Sequence, residues 1–167
     1  MCNSYKSINS IIDNVKSINE YLLDAQVYYA HTPAFDSKSQ KPELLDEHVR
    51  LVLSYFKKLV EIHNLDIVID NLINECLSEN NIKDDISGNF LKTIFVDTIV
   101  FHDFGKINEN FQANSNKMNN PFFKGKEISH SPIGLNHSSL GAFIFICKHL
   151  NRSEEHTSEL QSPYVIS

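Results

Sequence analysis

Thr93-Ile94-Phe95-Val96-Asp97-Thr98-Ile99-Val100-Phe101, followed by His102-Asp103-Phe104-Gly105-Lys106, is the stretch whose reading decides the fold. Its first nine residues are rich in β-branched side chains, which suits a strand. The order Phe90, Leu91, Ile94, Phe95, Thr98, Ile99, Phe101 instead recurs at intervals of mostly three and four, the period of a helix face. The neighbouring segments decide for helix, because each of them reads the same way.

Upstream, Ile8, Ile11, Ile12, Val15, Ile18 and Leu22 predict a helix from Ser4 to about Leu23. Ala25 to Tyr29 reads as extended, Pro33 disfavours helix just before it, and Asp36 to Lys41 is a polar loop. Pro42 suits a first helical turn, and Glu43 and Asp46 suit its positive end. Leu44, Leu45, Val49, Val52, Phe56, Leu59 and Val60 carry that helix to about His63. A further helix is predicted over Leu65–Leu77, with Ile67, Val68, Leu72, Ile73 and Cys76 apolar, then a polar connection from Asn80 to Asn89. Downstream, a short helix is expected over Ile107–Asn116 and a loop over Lys117–Leu135. A last apolar helix follows from Ser138 to about Leu150, with His137 at its entrance. The class expected is all-α.

At 167 residues a single domain is the default, large enough for a core without staples. Three scattered cysteines form no CxxC and no even framework, which points to reduced thiols in a cytoplasmic protein. No stretch is long and apolar enough for a membrane span, and no signal peptide is legible. The net charge of −6 argues against a broad basic surface for nucleic acid, but not against an acidic metal site that grips phosphate through its cation.

His102-Asp103 is the strongest chemical signal. A nitrogen ligand beside a carboxylate suits a divalent metal such as Mn²⁺, Fe²⁺, Ni²⁺ or Zn²⁺. Lys106, four residues after His102, shares its face if the stretch is helical, and a cation there suits an anionic substrate. His48, on the inner side of its helix, is the candidate third ligand. His137 is the next, with His130 in Ser129-His130-Ser131-Pro132 as its rival; a helix start is the more rigid mount. His31, before Thr32-Pro33, is a lesser candidate from a loop. His63 and His149 lack ligand context. Phe111 and Gln112 also fit plain packing and surface polarity.

From Arg152 the text changes to Arg-Ser-Glu-Glu-His-Thr-Ser-Glu-Leu-Gln-Ser-Pro, which resembles a translated sequencing-library adapter. The resemblance implies a domain over 1–151 and a foreign tail over 152–167 that is set aside in reading the fold. Without Arg152, Glu154, Glu155 and Glu159 the charge is −4, so the acidic character stays.

Ala30-His31-Thr32, Leu44-Leu45-Asp46-Glu47-His48, His102-Asp103-Phe104-Gly105-Lys106 with Phe111-Gln112, and Asn136-His137-Ser138 together resemble the HD nuclease domain of the type I CRISPR-associated helicase-nuclease, or its stand-alone form, over about Tyr28 to Leu150. The resemblance implies an α-helical HD domain that binds one or two divalent ions (Mn, Mg, Ni or similar). The implied activity is cleavage of single-stranded DNA by metal-assisted phosphodiester hydrolysis in antiviral defence. By position, His48, His102 and Asp103 match the family's first ligand set, His137 begins the second, and Lys106 matches the motif lysine; Asp103 and Lys106 carry the implied catalysis. The implied partners are a CRISPR interference (Cascade-type) complex and a helicase subunit or domain. The family's later adjacent histidine pair and late aspartate do not occur here, so the chain is expected to be a fragment that binds metal weakly and unfolds readily. An HD phosphohydrolase acting on nucleotides, or an inactive helical metal-binding fragment, is the alternative.

Overall fold

The computed structural model describes residues 5–22, 24–33, 41–82, 84–126 and 136–160, with 151–160 as helix backbone alone. The fold is all-α. Among the described residues the helices are α1 (Ile8–Asp13), α2 (Leu45–His63), α3 (Leu65–Glu79), α4 (Asp85–Phe101), α5 (Glu109–Ala113) and α6 (His137–Leu160). Among the described residues, a two-stranded antiparallel ladder joins β1 (Tyr29–His31) to β2 (Glu43–Leu44), with Tyr29 opposite Leu44 and His31 opposite Glu43.

The stretch over 93–101 is helical. Asp84 caps α4, its Oδ1 accepting from Ser87 N at 2.6 Å, so the helix starts well before the predicted Phe90. Gly88 lies inside it because a Cβ there would overlap the ring of Tyr5. Val96, Val100 and Phe101 join Ile8, Ile11, Ile12, Leu45, Val49, Val60 and Phe104 in the main core. Lys92, fully buried on the same helix, donates to Asp66 at 2.7 Å and Asp70 at 2.6 Å and ties α4 to α3.

Several predicted boundaries differ. The first helix stops at Asp13, and a capping box restarts the chain: Ser17 Oγ accepts from Asn19 N at 3.3 Å and Glu20 Oε1 accepts from Ser17 N at 2.9 Å. Residues Ala25–Val27 form a 3-10 turn rather than extended chain. Pro42 does not open α2. The chain from Glu43 to Leu44 is paired with β1, Leu45 N donates to Tyr28 O at 2.9 Å, and the helix begins only at Leu45. In α3 the inner face is Ile69, Ile73 and Leu77, spaced by four, while Ile67, Val68, Leu72 and Cys76 face outward. The helix after Ile107 is only Glu109–Ala113, started by Asn108 Oδ1 accepting from Asn110 N at 2.9 Å. Helix α6 runs past the predicted end near Leu150 to Leu160, since no Gly or Pro interrupts it before Pro163.

Candidate metal centre

Helix α4 ends at Phe101, so His102 and Asp103 lie in a turn rather than on the helix, followed by a 3-10 turn over Phe104–Ile107. Asp103 has φ −109° and ψ 2°, the sparsely used bridge region. The turn aims its carboxylate inward. Asp103 Oδ2 accepts from Lys106 Nζ at 2.8 Å and faces His48 Nε2 at 3.3 Å and His102 Nε2 at 3.4 Å. Lys106, which is buried, also donates to Ala30 O at 2.9 Å and lies 3.5 Å from His31 Nε2. Burial alone would raise the Asp103 carboxyl. The hydrogen bond and charge of Lys106 outweigh it, His102 and His48 add to them, and the group is held below its ordinary value.

The histidines are held from their far sides. His102 Nδ1 lies 2.6 Å from Ile99 O, a carbonyl that only accepts, so Nδ1 carries the proton and a neutral ring leaves Nε2 as a ligand. Glu43 does the same work twice. Its Oε2 meets His31 Nδ1 at 2.8 Å and its Oε1 meets His48 Nδ1 at 3.3 Å. Burial pushes the Glu43 carboxyl up, but the two histidines bring it net below its ordinary value. A carbonyl or carboxylate on the remote ring nitrogen is the usual support of a metal-ligating histidine.

The spacing suits a cation. Ligand atoms at about 2.0–2.2 Å from one ion sit roughly 3.0–3.5 Å apart at octahedral or tetrahedral angles. The Nε2–Oδ2 separations at Asp103 are of that size. Among the described residues, His31, His48 and Asp103 form a group whose donor atoms all lie within 4.8 Å of one another and could hold a metal ion. These donors, two imidazoles and a carboxylate, fit a divalent transition ion.

The structure therefore brings His48, His102 and Asp103 together as the sequence pattern suggests, but it draws the tightest group differently. His102 reaches Asp103 yet stands outside the three-residue group, and His31 enters it. His137 flanks the site at the start of α6, its ring 4.7 Å from Phe111. Burial lowers its pKa, opposed by the charge of Asp103 and reinforced by Lys106 and Lys117. His130 lies outside the described residues. His63 is exposed, and His149 is buried beside Asp97 at 3.2 Å, far along α6 from the centre. Lys106 is turned onto Asp103 and Ala30, not outward. Glu43 escapes a sequence reading as a part of the centre, being taken for a helix-end charge, and Gln112 is legible only as part of the family signature, with no role at the centre assigned to it.

Gly105 explains how His137 arrives. A Cβ at Gly105 would overlap His137 O and come within 2.7 Å of Gly141 N, so the first turn of α6 rests on bare backbone. Gly141 is the reciprocal small residue, where a Cβ would meet Gly105 N at 3.2 Å. Asn136 caps this end, its Oδ1 accepting from Ser139 N at 3.2 Å. No protein-family model, no curated protein and no solved structure matches this chain.

Proposed function

We propose that this chain is the HD nuclease domain of a type I CRISPR helicase-nuclease, acting by metal-dependent hydrolysis of phosphodiester bonds in single-stranded DNA. The observation that carries the reading is the convergence of His48 Nε2, His102 Nε2 and Lys106 Nζ on one oxygen of Asp103, with each imidazole braced from behind. The motif residues on which the family resemblance rests are those that meet there. A bound divalent ion supplies Lewis acidity and a water of lowered pKa. The chain's own groups do the rest. Asp103 and His48 would hold the ion, and His31 or His102 would complete the set; Lys106 favours the ionised form of Asp103, and Glu43 fixes the directions of His31 and His48. Lys106 lies beside the site, bonded to Asp103 and Ala30 O, and a cation at that place would offset charge on phosphate oxygens at longer range. His137 flanks the centre, and burial lowers its pKa, which favours the neutral ring that a further nitrogen ligand would need. Its DNA would be delivered by a helicase and an interference complex in the cytoplasm.

The test is cleavage of single-stranded DNA, duplex DNA and nucleotides with Mn²⁺, Mg²⁺ and Ni²⁺ by the chain extended with the later histidine pair and aspartate that the resemblance implies, using Asp103→Ala as control. Single-strand cutting that needs the metal and disappears in Asp103→Ala is expected. Nucleotide hydrolysis without DNA cleavage would favour a phosphohydrolase instead. Activity that survives Asp103→Ala would overturn the site.

A further inference from the structure

Gln112 is wholly buried and lies outside the group of candidate ligands. A primary amide has two N–H donors and an oxygen with two lone pairs. Gln112 uses all four. Its Nε2 donates to Tyr29 O at 2.9 Å and to Lys106 O at 2.7 Å; its Oε1 accepts from Tyr29 N at 3.1 Å and from Asn120 Nδ2 at 2.8 Å. Tyr29 sits opposite Leu44 in the ladder with its own N–H and C=O turned to this side chain, so the amide pairs with β1 as a second strand would. Asn120 completes the clamp: its Nδ2 also donates to Val27 O at 2.7 Å, and its backbone N–H donates to Gln112 O at 2.8 Å.

What the clamp holds is informative. The residue after Tyr29 is Ala30, whose carbonyl accepts from Lys106 Nζ, and the next is His31, which lies against Glu43 and Lys106. The second Nε2 bond fixes the backbone of Lys106 itself. One side chain thus sets the register between the strand that brings His31 and the turn that brings Asp103 and Lys106. We infer that Gln112 is a positioning residue for the metal centre, acting through β1 and Lys106 rather than by touching the ion. The inference rests on the metal reading above and extends it to a residue with no ligand chemistry of its own.

Gln112→Met keeps the size and removes all four bonds; Gln112→Glu keeps the two acceptor contacts and loses both donors. Asn120→Ala is the milder variant, taking one bond from Gln112 without altering it. Ile73→Ala, in the separate cluster with Tyr5 and Leu77, is the control for lost stability alone. Mn²⁺ affinity is read by electron paramagnetic resonance, and the His31 ring by NMR without metal. The two Gln112 variants are expected to bind Mn²⁺ about tenfold more weakly, Asn120→Ala less so, with a shifted His31 resonance in each. Ile73→Ala is expected to keep both near wild type. Wild-type affinity and an unmoved His31 signal in folded Gln112 variants would overturn the inference while leaving the metal reading intact. Equal losses in Ile73→Ala would overturn it too, as a general effect of destabilisation. A wild-type chain that takes up no Mn²⁺ would sink the metal reading, and the positioning role with it.

Discussion

Asp103 is held as a carboxylate by a lysine three residues further on, and the pair is mostly shielded from water. Removing one member of such a pair leaves a charge without compensation, so Lys106→Met is expected to cost about 3 kcal/mol at neutral pH. The pH dependence has a definite sign. The folded-state pKa of Asp103 is below its unfolded value, so its contribution is present above the ordinary carboxylate range and lost as pH falls through the folded value. The stability gap between wild type and Lys106→Met should therefore shrink on acidification through that range. Urea unfolding of both proteins across pH measures it, and a gap that stays constant would show that Lys106 does not act through the ionised carboxylate. At this scale the sequence was informative about chemistry and poor about support. His48, His102 and Asp103 were legible as candidates because few residue types can ligate a metal. Glu43 was not, because its role depends on a cross-strand pairing with His31 that no local pattern reveals. Gln112 was legible only as part of a family signature, since a buried amide and a surface amide look alike in sequence.

At the scale of elements, the seat of α6 on Gly105 is the joint on which the centre depends. A methyl group at Gly105 meets backbone atoms, His137 O and Gly141 N, which cannot swing away as a side chain can. Gly105→Ala should therefore displace the start of α6 and cost roughly 3 kcal/mol, at the upper end for overpacking. The ring contact of His137 with Phe111 should loosen with it. Denaturation gives the first quantity and the His137 ring resonance the second; a variant as stable as wild type with that resonance unmoved would contradict the joint. The helical class was legible because apolar periodicity in α2 and α4 outweighed β-branched composition. The joints were not. Helix α1 ends where Asn14 and Ser17 offer the backbone other partners, and α2 starts late because Glu43 and Leu44 pair with β1. The inner face of α3 was misplaced because its apolar residues occupy both sides of the helix. What selects the side is Asp66 and Asp70 meeting Lys92, a contact with another helix.

On the scale of the whole molecule, charged ties hold the bundle and apolar faces are left outside it. Asp97 on α4 accepts from Lys148 at 2.8 Å and lies 3.2 Å from His149, both on α6, as Lys92 on α4 donates to Asp66 and Asp70 of α3. Among the described residues no helix is long and apolar enough to cross a membrane. Yet Leu51, Tyr55 and Leu59 recur every four residues along α2 with exposures of 50%, 59% and 47%, and Val68 and Leu72 on α3 are also exposed. Large contiguous apolar patches promote association. Side chains that stand in water contribute little to folding, so replacing them should separate solubility from stability. Leu51→Glu with Leu59→Glu makes the charge more negative than −6, and added carboxylates favour solubility. The double variant should stay monodisperse at higher concentration by light scattering. Its unfolding free energy should change by no more than about 0.5 kcal/mol per site, as for other surface positions. A loss above about 2 kcal/mol per site would mean instead that Leu51 and Leu59 are buried within the fold, since truncating or charging a packed leucine costs that much or more.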